Sequence, residues 1–148
     1  MQRDAWCLRL TNQQTLAVAQ QQVVEYLTNV SACLVPKSNP ECNQVILWRD
    51  RVLPVWGNNS SSEYSAIELH SHILVISYLD NAMVGDDKPQ LLALSLSMAP
   101  VLLSVCDEDQ CQPSPAQSDF WKTSILACFQ YQNSPVPVIN FSRLRPIN

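Results

Sequence analysis

With 148 residues, 47% of them hydrophobic and 15% charged, the chain has enough apolar material for one folded domain, or for two small subdomains sharing a core, and its composition argues against disorder. The formal net charge is −4, and the nine Lys and Arg residues are scattered, with Arg143 and Arg145 the nearest thing to a cluster. That leaves no electrostatic basis for binding nucleic acid or an acidic membrane surface.

The opening residues, MQRDAWCLRL, include Asp4 and no uninterrupted apolar segment, which is not the pattern of a signal peptide. No stretch approaches the roughly 20 apolar residues of a membrane-spanning helix. The longest candidate, Leu91 to Val105, is broken by Ser95, Ser97 and Pro100. These features predict a cytoplasmic protein with no direct membrane insertion. Of the six cysteines, Cys7, Cys33, Cys42, Cys106, Cys111 and Cys128, no two form a CxxC pair, and the expectation is free thiols. Cys7 and Cys128 lie in apolar runs, where a thiol behaves as a small core hydrophobe.

In chain order, Trp6 to Leu10 and Leu16 to Ala19 predict a first strand pair around a polar turn at Thr11 to Gln14. Gln20 to Leu27 predicts a short helical turn or a crossover feeding a third strand. Ser31 to Cys42, with Pro36 and Pro40, reads as a loop. Asn43 to Trp56 (NQVILWRDRVLPVW) places two short apolar runs on either side of the polar residues Arg49 to Arg51, which predicts a β-hairpin. Pro54 in its return run has no backbone N–H, so it marks an edge, a bulge or the point where pairing stops. Gly57 to Ser65 reads as an exposed loop, Ile67 to Leu79 as strand, Asp80 to Lys88 as a turn region, and Pro89 to Ser97 and Val101 to Cys106 as further strands. Asp107 to Ser118 reads as an acidic loop. Ser124 to Tyr131 and Val136 to Asn140 predict a last hairpin around Gln132 to Pro135.

Two features of this order repeat. Leu16 to Val24 (LAVAQQQVV) has the layout of Leu94 to Leu102 (LSLSMAPVL), and Pro54-Val55 has a counterpart in Val136 to Val138 (VPV) on the return arm of the last hairpin. Two copies of a five-strand unit predict two small β-barrels in place of a single sandwich.

Residues for catalysis are scarce in pattern. His70 and His72, the only histidines, would share one face of a strand and could supply two metal ligands, with Glu68 or a cysteine as a third. Half-buried strand histidines are the commoner outcome. Cys106 and Cys111 flank Asp107 to Asp109, a mixture of soft and hard donors that selects no one metal. No local motif links a nucleophile to a base, and Gly57 and Gly85 are the only glycines, so no phosphate cradle is present. The sequence therefore predicts no catalytic, cofactor or metal residues and no small-molecule substrate. Trp48 and Trp56 lie on the two arms of the hairpin with Arg49 and Arg51 at its tip. They are either core residues or an aromatic and arginine contact surface.

Val23 to Leu27 (VVEYL), the proline-bearing loop after it, and VILWRDRVLPVW together resemble the CheW-like domain. The corresponding stretch of that family reads Gly-x-x-x-x-Arg-Gly-x-x-x-Pro-Val followed by Asp-Leu. Val136 to Leu144 (VPVINFSRL) is similar to its closing strand. The block order and chain length agree with this over nearly the whole of residues 1–148, as a single domain made of two pseudo-repeated barrels. The chain departs from the pattern at Gln44, Asp50, Ser124 and Asn140, and Gly57-Asn58 stands in place of Asp-Leu.

The resemblance implies a mainly β fold of two five-stranded, SH3-like barrels packed side by side. It implies a non-enzymatic adaptor that couples a chemoreceptor cytoplasmic tail to the regulatory domain of a CheA-type histidine kinase, in chemotaxis or pilus-linked motility, recruited to receptor arrays and needing no cofactor. The alternative is the same fold turned to another regulatory or polar-localisation partner. The expected partner-binding residues are Trp48, Arg49, Asp50, Arg51 and Trp56.

Overall fold

Two hairpins of the same build organise the molecule. A computed structural model describes residues 2–35, 42–58, 67–79, 89–115 and 119–143. In the first hairpin, β5 (Gln44–Trp48) pairs with β6 (Arg51–Trp56). In the second, β11 (Ile125–Tyr131) pairs with β12 (Ser134–Ile139). Each turns through two residues, Arg49-Asp50 and Gln132-Asn133, and all four have positive φ. That is the type I′ turn, whose twist matches the twist of the strands it joins.

The prolines follow from this register. Counting out from the turn-closing pairs Trp48–Arg51 and Tyr131–Ser134, an antiparallel ladder alternates hydrogen-bonded and non-bonded pairs. Pro54, opposite Val45, and Pro137, opposite Cys128, both fall on non-bonded positions, where the missing N–H removes no bond to the partner arm. The next residue of each return arm begins a parallel pairing to another strand, Val55 to Ala93 and Val138 to Ala17. Pro54 thus marks the point where β6 gains its second neighbour.

The remaining strands are β1 (Gln2–Arg9), β2 (Thr15–Ala19), β3 (Val23–Leu27), β4 (Val30–Leu34), β7 (Ile67–His70), β8 (His72–Tyr78), β9 (Gln90–Leu96) and β10 (Val101–Cys106). They complete a five-stranded sheet, β10-β1-β2-β12-β11, and a seven-stranded sheet, β3-β8-β9-β6-β5-β4-β7. The first matches the first five strands of the second position by position. The two repeated sequence segments are the crossings between sheets. One leads from β2 through a 3-10 turn at Gln20–Gln22 into β3, and the other leads from β9 into β10.

The fold is mainly β, two curled sheets packed side by side. The seven-stranded sheet exceeds the expected five because residues 31–34, expected as loop, join Val30 in a strand, and because a bend at Ser71 divides Ile67 to Leu79 into two strands. The expected loop at Gly57 to Ser65 begins with two buried residues, Gly57 and Asn58. Its remainder, like the turn region from Asp80 to Lys88, lies outside the described residues.

The largest core cluster lies between the sheets. Leu8, Leu16 and Val18 of one meet Leu74, Ile76 and Leu94 of the other, closed by Trp56, Trp121, Ile139 and Phe141. Trp56 and Ile139 occupy equivalent places at the ends of the two return arms. Smaller clusters fill the inside of each sheet, around Ile46, Leu53 and Ile73 in one and around Ala17, Phe129 and Val136 in the other.

Candidate partner-binding surface

The tip of the first hairpin is held by a residue three strands away in the sheet order. Glu25 on β3 accepts the Trp48 indole N–H at 3.0 Å through one oxygen and the Arg49 guanidinium at 2.8 Å through the other. Arg49 also lies over the Trp48 ring, 4.6 Å from its centroid, within cation–π range. The Trp48 hydrogen bond, opposed by desolvation and reinforced by the charge of and hydrogen bond from Arg49, holds the Glu25 carboxyl below its ordinary range. Arg49, Asp50 and Arg51 are all exposed, so the tip presents two cations and one anion to solvent on a turn of fixed geometry.

Behind the tip lies an apolar face. Alternation along β5 sends Gln44, Ile46 and Trp48 inward and Leu47 outward. Leu47 is 72% exposed, and its cross-strand partner Val52 is 66% exposed. On the same face, Ile67 of β7 pairs with Cys33 of β4, Cys33 with Val45 of β5, and Val45 with Pro54 of β6. Leu69, opposite Ser31, extends the row, with Ile67 60% and Leu69 63% exposed. Four neighbouring strands therefore present one continuous apolar surface bordered by the charged tip. Contiguous exposed apolar surface on a folded domain is characteristic of protein–protein contact.

The opposite side of the same strands carries a buried polar chain. His70 is buried, and burial lowers its pKa from the ordinary 6.5 despite the opposing pull of Glu68. Gln44 Oε1 can only accept, so His70 Nε2 carries the proton and donates it at 2.7 Å. His70 Nδ1 then accepts from the Ser95 hydroxyl at 3.0 Å, and Ser95 accepts from Thr11 at 2.6 Å. Asn58 also donates to Gln44 Oε1, and Gln44 Nε2 donates to Glu68. Every hydrogen in this chain has a direction, which fixes the neutral His70 tautomer and ties both sheets together through Thr11. Ser95 is fully buried, so the Ser–His contact has no access to a substrate.

The two histidines therefore do not form the expected one-face pair. The bend at Ser71 separates them, and His72, on β8, stacks on and hydrogen-bonds Tyr26 of β3. Among the described residues no group of three or more His, Cys, Asp or Glu is placed to hold a metal ion. The Cys111 sulfur stands 3.6 Å from that of Cys128.

The structure divides the expected contact residues into buried and exposed ones. Trp56 is 1% exposed in the core between the sheets, and Trp48 is 9% exposed beneath Arg49, so neither ring forms an exposed aromatic surface. The inward positions of the hairpin needed large apolar groups to fill that core. Arg49, Asp50 and Arg51 stay at the surface. The sequence reading missed Leu47, Val52, Ile67 and Leu69. The signal for the first two was that VILW is apolar at consecutive positions, so both faces of the strand are apolar and only one can face inward.

No protein-family model matches the sequence, and no curated protein matches it. The arrangement of two curled, mainly antiparallel sheets is similar to that of a solved scaffolding protein. The structure of scaffolding protein TtCheW from Thermoanaerobacter tengcongensis superimposes on 96% of this chain and 92% of its own, with a TM-score of 0.62 and 15% sequence identity. Among the described residues no helix is long and apolar enough to cross a membrane.

Proposed function

We propose that this protein is a non-enzymatic coupling scaffold of a bacterial chemosensory pathway. On this reading it acts in the cytoplasm and joins a chemoreceptor cytoplasmic tail to the regulatory domain of a CheA-type histidine kinase. The observation that carries the proposal is the near-complete overlap of the fold with a scaffolding protein. It is supported by the apolar face beside a fixed, charged hairpin tip. The face supplies area to exclude water, and Arg49, Asp50 and Arg51 supply register and discrimination between partners.

The test is binding of the purified protein to a CheA-type kinase regulatory domain and to a receptor tail, by calorimetry or pull-down at micromolar concentration. Arg49→Ala loses an exposed ion pair and a cation–π contact and is expected to cost only about 1 kcal/mol of folding stability, while weakening partner binding. Leu47→Asp tests the apolar face in the same assay. Binding of neither partner by the folded wild-type protein defeats the coupling role, and unchanged affinity on Arg49→Ala removes that residue from the surface.

A second reading keeps the fold and changes the partner to another regulatory or polar-localisation protein. It is favoured by the hairpin itself, where Asp50 stands in the left-handed position at which the resembling family has glycine. Failure to restore signalling in a strain lacking its own adaptor, by a protein that folds, favours this second reading.

A further inference from the structure

The five-stranded sheet ends in two edge strands, β10 and β11, which are not paired to one another in the sheet order. A cavity of about 570 Å³ opens there, lined by Val105 and Cys106 from β10, Ala127 and Phe129 from β11, and Ala5 and Val138 from strands between them. The segment leaving β10 crosses this seam. After a 3-10 turn at Asp107–Asp109, Gln110 bridges antiparallel to Phe129, and the Cys111 N–H donates to the Cys128 carbonyl at 3.0 Å. That register sets Cys111 directly opposite Cys128, and their sulfurs stand 3.6 Å apart.

The geometry points to a redox-modification site: Cys111 and Cys128 form a reversible intramolecular disulfide across the seam when the protein meets a peroxide. The two thiols have different surroundings. Cys111 is half-buried and accessible, whereas Cys128 is buried, and burial first, then its hydrogen bond and charge interaction with Cys111, push its thiol up to about 12. Cys111 is therefore the sulfur that meets the oxidant, and Cys128 is the resolving sulfur.

The Cys111 thiolate attacks one oxygen of the peroxide, the O–O bond breaks, and hydroxide leaves, giving a sulfenic acid. The Cys128 sulfur then attacks the Cys111 sulfur, the S–O bond breaks, and the departing oxygen takes the Cys128 proton and leaves as water. Two thiols lose two electrons in all, and one peroxide becomes two waters. The sulfurs need only close from contact to the covalent separation of about 2.05 Å. A small-molecule dithiol reverses the bond by exchange. In a reducing compartment such a bond is transient, as cytosolic sensing disulfides are.

The structural consequence is a covalent lock on a seam bridged by the Gln110–Phe129 pairing and the Cys111–Cys128 backbone hydrogen bond. The test treats the full chain with hydrogen peroxide, blocks remaining thiols by alkylation, and maps peptides by mass. The expected result is a single product lacking two hydrogens, with the Cys111 and Cys128 peptides linked, reversal by dithiothreitol, and a midpoint of thermal unfolding raised by roughly 5–10 °C for a loop of this length. In Cys128→Ser, a dimedone-type probe is expected to label Cys111. A link from Cys111 to any other cysteine or to a second chain overturns the proposal, as does oxidation of either thiol to sulfinic acid with no link. If the serine variant fails to fold, the wild-type peptide map decides alone.

Discussion

The two hairpins share a turn type, a proline position, the residue at which a parallel neighbour joins, and a large apolar residue sent to the common core. What differs is how they are finished. The first carries Leu47 and Val52 outward beside an arginine-rich tip tied to Glu25, and two further strands widen its face. The second is the edge of its sheet, buries Pro137 where Pro54 is half-buried, and places Cys128 under a crossing segment. A repeated frame thus supports two unlike surfaces, which separates residues that make the fold from residues that make contacts.

The frame itself is broken most sharply at the equivalent core positions. Trp56→Ala is expected to lower stability by about 3–5 kcal/mol and Ile139→Ala by about 2–5 kcal/mol in denaturant unfolding, since both empty the cluster between the sheets. A small cost at Ile139 alone would end the equivalence.

One residue further on, the hairpins diverge. Gly57 has φ +83°, and a Cβ there would come within 2.8 Å of Leu10 Cδ1, so Gly57→Ala is expected to cost about 2 kcal/mol or more. Asn140, its counterpart, instead accepts from the Ser142 amide and hydroxyl, and Asn140→Ala is expected to cost only about 1 kcal/mol.

The pH response belongs to the seven-stranded sheet. The folded state lowers the pKa of His70, so the unfolded chain binds more protons in the window below the ordinary 6.5. The stability contributed by neutral His70 is complete above that value and is lost as pH falls through the window. Melting temperature measured from pH 7.5 to 5 is expected to fall in the wild type and to fall less steeply in His70→Gln.

The smallest effects are at the turns. Asp50→Gly and Asn133→Gly relieve left-handed residues in matching positions, and each is expected to add about 0.5–1 kcal/mol. A gain at one turn and a loss at the other would show that the two are not alike.

Much of this frame was legible in the sequence. The first strand pair, the turn or crossover after Gln20, both hairpins, and the repeated segments could be read because turn residues and alternation are local signals. β4 was not legible, because its flanking prolines outweigh a short run whose outward residues are Ser31 and Cys33. The separation of His70 from His72 was hidden because a bend at one serine has no strong residue signature. Arg49 in the left-handed turn was not legible, because arginine carries no preference for that conformation. Inward and outward tryptophans could not be told apart where both faces of a strand are apolar, and that ambiguity is the trace of the exposed face itself.

The interleaved sheets also bear on how the chain acquires its shape. All seven strands of one sheet lie consecutively between Val23 and Leu96, whereas the other joins the strands at Gln2–Ala19 to those beginning at Val101, with Gln2 opposite Cys106. The inner sheet can assemble as soon as its own segment is synthesised. Until the last third of the chain arrives, β1 and β2 have no outer neighbours and keep two unpaired edges. Long-range pairing of this kind is slow. The early strand pair is therefore where a nascent chain is most exposed to wrong partners, and where a chaperone would find it.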